Sequence, residues 1–168
     1  ASFILTSHAF MNVMHYAYGK YEEYVRGLEF DKTLSLQGKV YIVTGSNTGL
    51  GYHTAKELVL MGGTVIMACR TLSKAHDARS AILNSYECKQ KKIAPSKIII
   101  IQLDLNSFNS VRLFVDEFLK LSLPLHGLIN NAGLMNSDRY TTPDGLEVVM
   151  TANHLSHFLL SNLLLSQL

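Results

Sequence analysis

Val40-Tyr41-Ile42-Val43-Thr44 runs directly into Gly45-Ser46-Asn47-Thr48-Gly49-Leu50-Gly51, and this junction decides how the rest of the chain is read. The first five residues are apolar and β-branched, as a strand requires, and the stretch from Leu50 to Met61 has the make-up of a helix. Strand, glycine-rich turn and helix form the first half of a crossover between parallel strands. Gly62 and Gly63 end the helix, and Thr64–Cys69 supplies a second run suited to a strand buried on both faces. Ser73 is the expected cap of the next helix, whose Ala75, Ala78, Ile82 and Tyr86 share one face before the pattern decays into the solvated Lys89, Lys91, Lys92 cluster. Beyond Pro95, Ile98–Leu103 reads as a third strand, and Ser107 caps a helix carrying Val111, Phe114, Val115 and Phe118. Leu128–Asn130 is a short fourth strand, and a last long helix is expected from about Asp144 to the end. The alternation predicts an α/β fold, a doubly wound parallel sheet of which about four strands are present.

Upstream of that junction, Phe10, Met14, Ala17, Tyr21, Tyr24 and Leu28 fall at three- and four-residue steps and predict an amphipathic helix. The chain therefore divides into an N-terminal helical extension, 1–37, and a main domain, 38–168. The extension either docks on its own protein or makes a membrane-surface contact, because His8, Asn12 and His15 interrupt it before a spanning length of apolar residues develops. In the whole chain of 168 residues, 48% are hydrophobic and 17% charged, which excludes intrinsic disorder as the main state. Fifteen Lys and Arg against thirteen Asp and Glu leave a net charge of +2, too small and scattered for nucleic-acid binding. Two cysteines, Cys69 and Cys88, in segments that read as buried suggest a reduced intracellular setting, cytoplasmic or at an organelle membrane surface. The chain starts without Met and stops in the uncapped apolar run 163–168, which reads as a fragment.

The turn after the first strand can bind an anion. Glycines at 45, 49 and 51 admit positive torsions and close approach, so the backbone of Gly45, Ser46, Asn47, Thr48, Gly49, Leu50 and Gly51 can cradle a pyrophosphate at a helix N-terminus; an ordinary tight turn is the competing reading. Dinucleotide sites usually place an acid at the end of the second strand. Here that place is taken by Arg70, whose guanidinium suits the 2′-phosphate of NADP, against the alternative of a solvated arginine. Asp104 and Leu105 follow the third strand, where a carboxylate can accept from an adenine amino group and a leucine can cover the ring; Asp104 can equally begin a turn. Asn130, Asn131, Ala132 and Gly133 follow the fourth strand at the edge where open α/β sheets bind ligands. His154 and His157 lie three residues apart with no acid or cysteine set beside them, so no metal site is expected. Tyr16-x-x-x-Lys20 precedes the first strand and Tyr52-x-x-x-Lys56 falls in the first helix, and both are assigned to structure.

Taken together, Thr44-Gly45-x-x-x-Gly49-x-Gly51, Asp104, Asn130-Asn131-Ala132-Gly133 and Asn153 resemble the short-chain dehydrogenase/reductase family in order and separation. Ala68-Cys69-Arg70, Asp144-Gly145-Leu146-Glu147 and 153–160 resemble its retinol-dehydrogenase-like branch, which includes WW-domain-containing oxidoreductases. The resemblance implies a Rossmann-like fold that binds NADP(H), acts on a small-molecule alcohol or carbonyl compound, and leaves room for a homo-oligomer in a full-length protein. It also implies a catalytic place for Asn153, which would hold the long helix in a distorted form and anchor a water in a proton relay. The Ser and the Tyr-x-x-x-Lys pair of that family come on and after a fifth strand, so the segment alone is expected to be inactive. A non-catalytic dinucleotide-binding or partner-binding module is the other reading.

Overall fold

The computed structural model describes residues 34–135 and 139–168. The expected N-terminal helix over residues 10–28, and with it Tyr16 and Lys20, lies outside the described residues. Residues 35–168 form one compact unit.

Four parallel strands make its sheet: β1 (Val40–Thr44), β2 (Thr64–Cys69), β3 (Ile98–Gln102) and β4 (Gly127–Ile129), in the order β3-β2-β1-β4. The crossovers are α1 (Gly49–Leu60), α2 (Leu72–Asn84) with the short α3 (Tyr86–Gln90), and α4 (Phe108–Lys120). A final helix, α5, begins at Val148–Met150, widens into a π-helical turn at Thr151–Leu155 and resumes over Ser156–Leu164. This is the doubly wound, Rossmann-like parallel sheet that the alternation of elements predicts.

Because successive strand residues point to opposite faces, the apolar runs feed two cores. Val40, Ile42, Ile66 and Ala68 face Phe114, Phe118, Leu160 and Leu164 from α4 and α5. Val43, Val65, Met67 and Cys69 face Ala55, Val59, Ala78 and Ile82 from α1 and α2. Phe114 and Phe118 are wholly buried, so truncating either to alanine costs about 3–5 kcal/mol. The last helix, Val148–Gln167, is long and apolar enough to cross a membrane, yet its Leu160 and Leu164 belong to the first core.

Three local expectations need correction. Helix α2 starts at Leu72 after the extended Thr71, so Ser73 lies inside it and is not its cap. Ser85 adopts an extended conformation (φ −60°, ψ 150°) and its side chain accepts from the Cys88 N–H; this break restarts the helix, buries Cys88 and leaves Tyr86 75% exposed. The last helix starts at Val148, not Asp144. Asp144 instead accepts the Phe108 N–H at 2.9 Å, at the start of α4, and Gly145 turns the chain at φ +76°. Glu147 then caps α5 through the N–H groups of Val149 and Met150, which hold its carboxyl below the usual carboxylate range, with Arg139 assisting. The lysine cluster is exposed as expected, but Lys91 reaches the Leu60 carbonyl at 2.9 Å, and Lys97 reaches that of Gly62 at 2.9 Å, closing the C-terminus of α1.

Candidate dinucleotide-binding site

The strand order reverses at β1, which pairs with β2 on one side and β4 on the other. Crevices at such a reversal open at the carboxyl ends of the strands. Here the loops after all four strands converge on a cleft of about 180 Å³, lined by Gly45 and Asn47 after β1, Arg70 after β2, Leu103–Asn106 after β3 and Ala132–Leu134 after β4. Ala68 near the end of β2 and Ala152 from the widened turn of α5 complete the lining.

The glycine loop is shaped by exclusion. Gly45 has φ +63°, and a β-carbon there would stand 2.9 Å from the Cβ of Ala132. A β-carbon on Gly51 would stand 2.5 Å from the Gly45 carbonyl oxygen and would overlap the Asn131 side-chain amide. The third glycine thus makes room for the Gly45 carbonyl and for Asn131. That amide donates to the carbonyls of Thr44 at 2.8 Å and Gly45 at 3.4 Å, so Asn131 braces the loop from behind. Thr48 precedes α1 without a side-chain cap, and no acid occupies the first turn, which suits the approach of a phosphate to its N–H groups.

Of the residues expected at the site, Gly45, Asn47, Arg70, Asp104, Leu105, Ala132 and Gly133 line the cleft. Ser46 is buried beneath it, its hydroxyl 3.4 Å from the Cys69 sulfur, while burial pushes the Cys69 thiol up. Thr48 lines an adjacent groove beside Tyr52, Lys74 and Asp77. Gly49 and Leu50 are exposed at the helix start, Leu50 by 81%, and do not line the cleft. Asp104 is half-buried; its Oδ1 accepts the Asn106 N–H at 2.9 Å, forming the turn that was its alternative reading and leaving Oδ2 outside that bond. Leu105 is 8% exposed, and its carbonyl accepts the Ser156 hydroxyl at 2.6 Å, tying this loop to α5.

Asn153 sits in the π-helical turn and clips α5 to the loop after β4: its Oδ1 accepts the Leu134 N–H and its Nδ2 donates to the Leu134 carbonyl, both at 2.8 Å. The helix is thus distorted at the residue for which the resemblance implies distortion. Of the tyrosine–lysine strings, Tyr52 and Lys56 lie in α1, where Lys56 pairs with Glu87 at 3.0 Å.

Two polar residues, Asn106 and His157, were given no part in the site by the sequence reading. Asn106 lines the cleft with its buried Oδ1 unpartnered. His157, weighed only as a metal ligand, lies 3.0 Å from the Thr44 hydroxyl, and burial holds its ring below the usual histidine value. Asn106 stands in the polar stretch 104–107 with no signal of its own, and the Thr44 partner of His157 lies far off along the chain.

A tight turn with no room for a β-carbon at Gly45 or Gly51, an uncapped helix start, and polar side chains beyond β2 and β3 are features of a dinucleotide-binding cleft.

Comparison with known proteins agrees. The family model for short chain dehydrogenase matches residues 39–168. Over 135 residues the chain is 42% identical to retinol dehydrogenase 12 of Bos taurus, covering 80% of this chain and 40% of that protein. Over 145 residues it is 39% identical to the WW domain-containing oxidoreductase of Gallus gallus, covering 86% of this chain and 33% of that one. The crystal structure of the C-domain of a bacterial malonyl-CoA reductase with NADP aligns with a TM-score of 0.66 at 28% identity, over 78% of this chain and 20% of that one. The chain spans less than half the length of these two curated relatives. With the glycine loop, the reversal of strand order and the family match all falling within residues 39–168, the chain belongs to the short-chain dehydrogenase family, on its retinol-dehydrogenase-like branch.

Proposed function

We propose that this chain is the cofactor-binding portion of an NADP(H)-dependent oxidoreductase acting on a small-molecule alcohol, ketone or aldehyde. Arg70 carries the reading. It is exposed one residue beyond β2, on the same cleft as Gly45, Asp104 and Gly133, where a guanidinium meets a 2′-phosphate and an acid would repel it. The NADP bound in the malonyl-CoA reductase structure supports it. In this reading the N–H groups around Asn47 and the start of α1 face the pyrophosphate, Asp104 and Leu105 take the adenine, and Asn131, Ala132 and Gly133 shape the passage toward the nicotinamide. When bound, that ring gives or takes the hydride. Asn153, fixed by Leu134, serves the reacting end of the site. The setting that goes with this reading is intracellular, at a membrane surface if the N-terminal stretch makes contact there, and the full-length protein forms a homo-oligomer.

The second reading is a dinucleotide-binding or partner-binding module without turnover of its own, built on the same cleft. The test is to assay NADPH consumption with a panel of aldehydes and ketones, using the 168-residue chain and a longer form that carries a Ser and a Tyr-x-x-x-Lys pair. Consumption by the longer form alone is expected. Binding of NADPH by both with consumption by neither would favour the module.

A further inference from the structure

The hydroxyl of Thr44 sits at a crossing of β1, the loop after β4 and α5. Thr44 is wholly buried, and its oxygen accepts the N–H groups of Asn131 and Ala132, each at 2.9 Å. Those two bonds use both lone pairs, so the one hydroxyl hydrogen must be donated. Two acceptors are in reach, His157 Nε2 at 3.0 Å and the Ile129 carbonyl at 3.4 Å, and the shorter distance selects the histidine. A nitrogen that accepts carries no proton, so the neutral ring is protonated at Nδ1, which donates to the Asn153 carbonyl at 3.3 Å. The opposite tautomer would aim Nε2–H at an oxygen with no free lone pair and set the Nδ1 lone pair against a carbonyl oxygen. His157 is 6% exposed, which leaves little access for water to repair such a mismatch.

We propose that His157 is a positioning residue for the dinucleotide site, locked as its neutral Nδ1–H tautomer and joining the end of β1 to the backbone of Asn153. The inference rests on the dinucleotide reading above and extends it. Through Thr44, the ring sets where the N–H groups of Asn131 and Ala132 lie, and Ala132 packs against Gly45 in the cleft. Through the Asn153 carbonyl it fixes the widened turn whose side chain clips Leu134. The pyrophosphate end and the reacting end of the cleft thereby share one buried ring.

Substitutions can separate the two bonds. In His157→Gln an amide oxygen can still accept from Thr44, in His157→Asn an amide N–H can still donate to Asn153, and His157→Leu keeps bulk while losing both. The full chain, labelled with 15N on histidine, is examined by two-bond proton–nitrogen correlation to find which ring nitrogen of His157 bears the proton, and NADPH affinity is titrated for each variant. The expected results are a proton on Nδ1, a loss of affinity of about tenfold or more in His157→Leu, and affinity within about threefold of the original in His157→Gln. A proton on Nε2, or equal losses in His157→Leu and His157→Gln, would overturn the proposal. So would unchanged affinity in His157→Leu, while the dinucleotide reading stood. Failure of the unsubstituted chain to bind NADPH would overturn that reading and the positioning role with it. Should His157→Leu fail to fold, the tautomer and the His157→Gln affinity still decide.

Discussion

The side-chain amide of Asn131 occupies the space that a β-carbon on Gly51 would need, while donating to the carbonyls of Thr44 and Gly45. Helix α1, the glycine loop and the loop after β4 are therefore one packed unit, and a change in any of them is felt by the others. Gly51→Ala should force Asn131 or the Gly45 carbonyl aside and destabilise the fold by about 1–3 kcal/mol, as overpacking does elsewhere. Chemical denaturation with NADPH titration checks it, and a Gly51→Ala chain with unchanged stability and affinity would show the loop to be loosely packed.

Asn153→Ala removes both bonds to Leu134 and leaves the backbone of that residue without them. Because the site is exposed and water can replace part of what is lost, the expected cost in stability is about 1 kcal/mol, seen as a lowered denaturation midpoint at unchanged slope. Asn153→Asp keeps the acceptor for the Leu134 N–H but sets a carboxylate against the Leu134 carbonyl, and should be no better than alanine.

Burial lowers the His157 pKa from its ordinary 6.5, against a smaller opposing effect of the Asn153 carbonyl. Above pH 6.5 the ring is neutral whether the chain is folded or not, and its contribution is fully present. Below that pH the unfolded chain takes up a proton that the folded chain refuses, so stability falls as pH drops toward the folded value. Glu147, held below 4.5, adds a second loss at lower pH, as its carboxylate is protonated and the cap on α5 is released. Denaturation curves across this range should show both steps, and His157→Leu should lack the upper one.

The strands and the glycine loop were legible because their causes are local. Val40–Thr44 and Thr64–Cys69 are largely apolar, as strands covered on both faces are, and Ser107 caps α4 as its position implies. Errors arose where one backbone torsion outweighed a periodic pattern. The four-residue step from Ile82 to Tyr86 continued across Ser85, but the extended Ser85 turned Tyr86 outward and brought Cys88 in. Pro143, Asp144 and Gly145 are turn formers, and the structure uses them as such, with Asp144 serving α4 rather than its own helix. Thr71 and Ser73 are equally good caps in composition, and the exposed Leu72 between them gives no periodic signal to choose. The partnership of His157 with Thr44 spans 113 residues and has no local signature.

If Arg70 receives the 2′-phosphate, Arg70→Ala should lose about 1.5–3 kcal/mol of NADPH affinity while NADH affinity changes little, since NADH has no phosphate there. Equal losses for the two cofactors would make Arg70 a general contact and not the source of preference.

The most direct measurement is an equilibrium titration of the unsubstituted 168-residue chain with NADPH and with NADH under the same salt and pH. Saturable binding of NADPH, tighter than NADH by about tenfold or more, is the result predicted from the glycine loop and Arg70 acting together. Equal affinity would contradict the assignment of the cofactor, and absence of binding by either would contradict the reading of the cleft itself.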